Sequence, residues 1–299
     1  MDQAENLRKL VQQNNSQIAR PVARVITVTS GKGGVGKSSL AVNLAIDFAR
    51  LGKKVIIFDA DFGLANIEIM LGIRPPYNLA DLMFRGKNLE DIIVEGPEGI
   101  GFISGGSGIQ ELTMLSREQI IYLTQKLFQL DKLADLIIID TGAGIADSVL
   151  EFVAASSEVL LVVTPEPTSI TDAYALLKTL NRKSEFSIKN SKIRVVANRI
   201  AQPSEGPELF EKLSIVSEKF LDIPLEYLGS IPQDPNSSKS ILQQQPISVL
   251  FPNSPSAKAI TGLAEKICNI DTGTVAEKKG MAQLFSNLIK SRHRKKTQR

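Results

Sequence analysis

A mostly parallel, twisted α/β sheet with helices on both faces is the fold this sequence predicts, and three observations predict it. Short β-branched runs alternate with helical patterns from Arg24 to about Asp271. Several of those runs, Leu136–Ile139 and Val159–Val163 among them, lack apolar/polar alternation, as strands covered on both faces do. A glycine-rich turn, Gly31 to Ser38, joins the first strand directly to the first helix.

In chain order the strands are expected at Val25–Thr29, Val55–Phe58, Gly101–Ser104, Leu136–Ile139, Val159–Val163, Ile193–Ala197 and about Leu225–Ser230. Helical patterns fill the intervals: Lys37–Leu51, Ser116–Leu130, Ala146–Ala155, Thr168–Asn181, Pro207–Leu221 and Ser254–Cys268. Parallel neighbours need such crossovers, and they are right-handed by rule. The expected organisation is a domain over 24–271 with two appendages, 1–23 and 272–299. The first holds a short helical candidate, Gln3–Gln13, then a polar stretch ending at Pro21. A disordered terminus is the ordinary fate of both.

Composition removes several chemistries. The 299 residues are 43% hydrophobic and 22% charged, the balance of a globular protein. Aromatics are 5% with no Trp, which argues against a base-stacking platform. One cysteine, Cys268, and one histidine, His293, exclude a disulfide framework, a zinc site and a histidine-based triad in the domain. The net charge of +3 hides an asymmetry: eight Lys or Arg and no acid lie in 278–299, leaving 27 cations and 32 acids before them. An anionic surface is therefore met by the tail. Met1 to Arg20 is too polar for a signal peptide, and the apolar runs fall short of a membrane span. The expected location is cytoplasmic.

The strongest motif is Gly31-Lys32-Gly33-Gly34-Val35-Gly36-Lys37-Ser38, a P-loop in the right strand-to-helix context. Its glycines let backbone N–H groups turn inward around phosphate oxygens, and the helix N-terminus adds positive potential. Lys37 is expected on the β- and γ-phosphates, the Ser38 hydroxyl on Mg²⁺, and Ser39 facing the α-phosphate. Acids follow at strand ends, where ligands bind in open α/β sheets: Asp59 and Asp61 after Ile56-Ile57-Phe58, and Asp140 after Leu136-Ile137-Ile138-Ile139. A lone acid there is more often a helix cap, but three in order behind a P-loop make a site. Val195-Val196-Ala197-Asn198 ends another strand with an amide suited to adenine.

With Lys32 beside its first glycine, the loop resembles the deviant Walker A motif of the MinD/ParA family of ATPases. The likeness covers nearly all of 24–270. It implies a P-loop NTPase fold of the SIMIBI type and an ATP-bound sandwich dimer, with ATP and Mg²⁺ as cofactors. In that dimer Lys32 reaches the partner's nucleotide like an arginine finger. It also implies that Asp61 directs the attacking water, that Asp59 and Asp140 serve the Mg²⁺ side, and that Asn66 lies near the γ-phosphate. Phe62 to Asn66 then resembles switch I, and Thr141-Gly142-Ala143-Gly144 resembles switch II. Asn198 reads the base, with Pro232 and Asp234 packed around the ring.

The branch of that family that carries iron–sulfur clusters needs paired cysteines, so Cys268 alone excludes it. Met281, Leu284, Phe285, Leu288 and Ile289 form an apolar stripe flanked by lysines and arginines, expected to lie on anionic lipid, with a helix docked on the domain itself or a basic nucleic-acid tail as the alternatives. Two such stripes in a dimer would bind by avidity. The opening Asp2-Gln3-Ala4-Glu5-Asn6-Leu7-Arg8 resembles the activator motif of the flagellar-number regulators (the FlhG/YlxH branch). That branch implies the GTPase FlhF and flagellar C-ring components as partners, with Gln3 at the catalytic interface and Leu7 and Arg8 as anchors. The rival expectations are a division-site selector and a DNA-partition ATPase; the acidic body makes nucleic acid the less expected partner.

Overall fold

The computed structural model describes residues 22–61, 66–106, 122–123, 125–183, 191–269, 280–281 and 284. Within them lie strands β1 Arg24–Ser30, β2 Val55–Ala60, β3 Ile93–Glu95, β4 Gly101–Ile103, β5 Leu136–Ala143, β6 Glu158–Val163, β7 Lys192–Ile200 and β8 Leu225–Pro232. They form one sheet in the order β3-β4-β2-β5-β1-β6-β7-β8. Every pairing is parallel except β3 with β4. The expected α/β class holds, and the unexpected strand is β3, whose three residues are too short to show a pattern.

The longer helices are α1 Lys37–Arg50, α6 Asp147–Ala155, α7 Pro167–Asn181, α8 Glu205–Leu221 and α11 Pro255–Asn269. Shorter ones are α2 Asn66–Leu71, α3 Leu79–Phe84, α4 Leu89–Ile92, α5 Leu130–Leu133, α9 Pro235–Leu242 and α10 Ile247–Leu250. Among the described residues none is long and apolar enough to cross a membrane. The expected helix over Ser116–Leu130 is helical at residues 122–123 and 125–127, while 116–121 and 124 lie outside the described residues, as does all of Gln3–Gln13.

Successive residues of the central strands enter opposite cores, as the pleat requires. Ile26, Val28 and Ile138 pack with Leu40, Leu44 and Phe48 of α1 and with Leu263 and Ile267 of α11. Val25, Ile137 and Ile139 face the other way, with Phe58 and Phe152. Two apolar faces on one strand leave no polar positions, which is why these runs show no alternation.

The sheet changes direction between β5 and β1. From β1 the chain crosses to β2 on one side, and from β5 it steps over β1 to β6 on the other. A crevice opens at the C-terminal ends of such strands. At the N-terminal edge the same strands are stitched by ion pairs. Arg24 meets Glu158 at 2.7 Å, Arg194 meets Glu158 and Glu226 at 2.9 Å each, and Arg24 donates to the Ile267 carbonyl at 2.7 Å.

Two residues of the C-terminal segment pack inward. Met281 and Leu284, expected on an outward membrane stripe of a separate 272–299 segment, are 0% and 2% exposed and belong to the core with Phe58, Leu127, Leu130 and Ile137. The Met281 N–H donates to Asp131 at 2.9 Å. Gly280 permits this approach, because a Cβ there would stand 2.4 Å from Val22 and 2.5 Å from both Asp131 oxygens. The physical reason is ordinary: an apolar stripe beside an apolar surface is buried by it. Phe285, Leu288 and Ile289 lie outside the described residues.

Candidate nucleotide site

Gly31 to Ser38 wraps the crevice mouth between β1 and α1. Gly36 precedes the helix at φ 93°, ψ 19°, a left-handed conformation that costs a glycine little. Gly33 and Gly34 face open space, with no atom within 4 Å of where a Cβ would stand, so their backbone can approach a ligand.

Lys37 is buried, and its Nζ donates to Asp140 Oδ1 at 2.6 Å and to Ser38 Oγ at 3.2 Å. The acids arrive side by side because β2 and β5 are in register, Asp59 opposite Asp140. Asp59 Oδ1 accepts the Asp61 N–H at 3.0 Å. The Asp61 carboxylate lies over the Thr141–Gly144 turn, 3.6 Å from where a Gly142 Cβ would stand. Gly144, at φ 88°, donates its N–H to the Ser30 carbonyl at 2.9 Å and ties that turn to the P-loop strand. Asn66 heads α2, while residues 62–65 of the expected switch I lie outside the described residues.

Burial pushes the Asp59 carboxyl well above the usual carboxylate range, and the neighbouring Asp140 pushes it further. Burial also raises Asp140, although Lys37 pulls against it. Asp140 Oδ2 is buried with no hydrogen-bond partner. The unpartnered Asp140 oxygen and the Ser38 hydroxyl, joined through Lys37, are hard-oxygen donors of the kind Mg²⁺ takes. Among the described residues no group of His, Cys, Asp and Glu is arranged to hold a metal alone.

The expected base-reading residues sit on the far side of the loop. Asn198 Nδ2 donates to the Val35 carbonyl at 2.7 Å, and its Oδ1 accepts the Arg199 N–H at 2.9 Å. Gly36 makes room for it: a Cβ there would be 2.4 Å from Asn198 Nδ2. Pro232 closes β8. Asp234 caps α9, accepting from the Asn236 N–H at 2.9 Å and from Ser256 at the start of α11. Ser39 is half-buried in the first turn of α1, its carbonyl accepting from Asn43 at 2.7 Å.

Lys32 is the loop lysine that does not enter this cluster. Its ammonium is turned outward to Glu166 and Thr168, at the start of α7. Motif reading missed both partners; the only signal was an acid between prolines, Pro165-Glu166-Pro167, after a strand. The activator residues Asp2, Gln3, Ala4, Leu7 and Arg8 lie outside the described residues.

A family model described as "ParA: NUBPL iron-transfer P-loop NTPase" matches residues 21–268. The chain is 44% identical over 244 residues to the antiactivator FleN of Pseudomonas aeruginosa, covering 82% of this chain and 86% of that one. It is 34% identical over 273 residues to the flagellum site-determining protein YlxH of Helicobacter pylori, covering 89% and 90%. Among solved structures it resembles the septum site-determining protein MinD of Pyrococcus horikoshii OT3, complexed with Mg-ADP. That likeness has a TM-score of 0.64 at 26% identity and covers 85% of this chain and 98% of that one.

Proposed function

From the premise that this chain belongs to the ParA/MinD family of P-loop ATPases, we propose that it is an ATP-driven dimerisation switch controlling the number or placement of flagella. The structural observation that carries the switch is the division of labour between two lysines. Lys37 is buried against Asp140, while Lys32, on the same loop, points away from that cluster where a second subunit can receive it. The flagellar output rests on the likeness to FleN and YlxH and on the motif from Asp2 to Arg8.

In the proposed cycle the loop N–H groups and Lys37 hold the phosphates of ATP, and Lys37 leaves Asp140 to do so. Ser38 and the freed Asp140, with Asp59 behind it, would hold Mg²⁺. The ion neutralises charge on the phosphates when bound. Asp61, placed against Gly142, orients the attacking water, so water position and switch II move together. Lys32 of each subunit stabilises charge developing on the other's leaving phosphate oxygen, a preorganised cation present only in the dimer. Asn198 exchanges the Val35 carbonyl for the adenine edge.

A membrane role for the C-terminal stripe requires undocking, since Met281 and Leu284 are core residues here. Their core also contains Phe58 and Ile139, which precede Asp59 and Asp140 on their strands, and Phe152 of α6 behind switch II. Rearrangement of those strand ends on ATP binding is therefore felt at the docked stripe.

The deciding experiment is GTP turnover by the FlhF protein from the same source, with and without a peptide of residues 1–23. Stimulation that disappears with Gln3→Ala supports the flagellar reading. No stimulation by either the peptide or the full-length ATP dimer removes it and leaves the ATPase. In the same preparation, deletion of 278–299 should abolish ATP-dependent sedimentation with anionic vesicles; unchanged sedimentation rejects the anchor.

A further inference from the structure

The pairing of β1 with β5 slips by one residue where the Thr141–Gly144 turn begins. Val28 stands opposite Asp140, yet Ser30 stands opposite Ala143, so Thr141 and Gly142 together face Thr29. On its other side β5 keeps register, with Ala60 opposite Thr141. The extra residue makes a β-bulge, a device that re-aims side chains beside active sites. Here it follows directly on Asp140.

The bulge is filled by a hydroxyl. Thr141 is fully buried, and its Oγ1 has three acceptors within reach. They are the Gly142 carbonyl at 2.8 Å, Thr29 Oγ1 at 3.1 Å and the Val28 carbonyl at 3.2 Å. A threonine hydroxyl carries one proton, so it serves one of these at a time. The shortest contact stays inside the turn; the other two belong to the strand that leads into the phosphate loop. Loss of the Gly142 carbonyl would therefore not leave a buried donor unpaired, because β1 offers two replacements.

The held carbonyl matters because of what lies on that glycine. Asp61 Oδ1 is 3.6 Å from where a Gly142 Cβ would stand, and Val149 of α6 is 3.4 Å from the same point. Two residues on, the Gly144 N–H is tied to the Ser30 carbonyl at 2.9 Å. The turn is thus fastened to β1 at both ends, by a backbone bond at Gly144 and by an exchangeable hydroxyl at Thr141.

We propose that Thr141 is a positioning residue for hydrolysis: its hydroxyl holds the Gly142 carbonyl, and with it the turn beneath Asp61, and passes its proton to Thr29 or Val28 when nucleotide moves that turn. The inference rests on the reading in which Asp61 directs the attacking water. One hydrogen bond is exchanged for another of similar length, so the turn moves without the cost of an unpaired hydroxyl.

The test is steady-state ATP turnover by the full chain with Mg²⁺, read as kcat and KM separately, with a urea midpoint for each variant. Thr141→Val keeps the branched shape and removes the hydroxyl. It should lower kcat about tenfold, the scale of one neutral hydrogen bond, and leave KM for ATP within about twofold. Thr141→Ser keeps the hydroxyl and should hold kcat within about twofold of wild type. Thr29→Val removes one replacement acceptor and should lower kcat about two- to threefold. Added to Thr141→Val it should change nothing, because the two residues share one contact. If Thr141→Val turns over ATP as wild type does, or Thr141→Ser is as slow as Thr141→Val, the hydroxyl is not the cause and the proposal is overturned. A raised KM at unchanged kcat overturns it too, since the residue would then serve binding alone. Should Thr141→Val not fold, Thr29→Val decides, and wild-type kcat there overturns the exchange. Asp61→Ala separates the two readings. If it hydrolyses ATP like wild type, the role of Asp61 falls and this proposal falls with it; if it does not, a failure at Thr141 leaves the role of Asp61 standing.

Discussion

At the N-terminal edge of the sheet, buried charge is matched group by group; at the C-terminal edge it is not. Glu158 takes bonds from Arg24 and Arg194, Arg194 also reaches Glu226, and Arg24 ends on the Ile267 carbonyl. Burial pushes the Glu158 carboxyl up, but those guanidinium bonds outweigh it and hold the group below its ordinary range. Across the same sheet Lys37 faces Asp140, with Asp59 and Asp61 beside it, and Asp59 and Asp140 are held above theirs. One edge satisfies its charges for stability. The other keeps an excess of carboxylate and an unpartnered Asp140 oxygen, an arrangement that a bound cation would offset.

The largest effect expected from this contrast is at Lys37. Lys37→Ala should cut turnover by at least about 10²–10³-fold, the scale for losing one preorganised charge at a reacting group. It should also cost about 3–5 kcal/mol of stability, because Asp140 is left buried without its cation. Lys37→Ala with Asp140→Asn should recover most of that stability and none of the turnover. Urea titration and phosphate release read the two quantities separately. If the single variant unfolds at the wild-type urea midpoint, Asp140 does not depend on Lys37 as the 2.6 Å contact implies.

Next comes a pair of carboxylates whose pH dependences should run in opposite directions. Glu158 has a depressed folded pKa, so its contribution is present above the ordinary carboxylate range and is lost as pH falls through the folded value. Asp59 has a raised one. There the folded state binds more protons than the unfolded, so stability falls as pH rises from the ordinary value towards the folded value. Without nucleotide, Glu158→Gln should lose about 3 kcal/mol at neutral pH and leave turnover per folded molecule within about twofold. Asp59→Asn should instead raise the melting midpoint by about 2–4 °C, the worth of about 1 kcal/mol in a chain of this size, while slowing turnover. Urea midpoints taken from strongly acid to neutral pH would show the two slopes with opposite sign, that of Glu158 below the ordinary carboxylate range and that of Asp59 above it. A Glu158→Gln protein as stable as wild type would erase the distinction between the edges.

The sheet and the phosphate loop were legible in the sequence because their signals are local. Unalternating Val/Ile runs announce strands buried on both faces, and Gly31 to Ser38 carries its chemistry in consecutive residues. What escaped was set by distant partners. The Arg24–Glu158–Arg194 chain joins residues 134 and 36 positions apart, and no spacing rule reports that. Met281 and Leu284 show the same limit differently: an apolar stripe on a basic segment fits lipid and core equally, and only the fold shows which surface lies beside it. Glu166 was invisible because exposed acids are common.

Asp234 gives the smallest expected effect. The sequence placed it around the adenine ring, yet its carboxylate is engaged on both sides. One oxygen takes the Asn236 N–H of α9, and the other takes the N–H and hydroxyl of Ser256 on α11. Burial raises this carboxyl, but those donors outweigh it and the group sits below its ordinary range. Asp234→Asn keeps one acceptor and turns an amide N–H₂ towards donors, so about 1 kcal/mol of stability should be lost. Nucleotide affinity should stay within about twofold, because the residue shapes the loop between β8 and α9 without reaching for the base. An affinity loss beyond about tenfold with the urea midpoint unchanged would mean that the carboxylate leaves its caps for the nucleotide. The base side of the site would then share the unmatched character of the phosphate side.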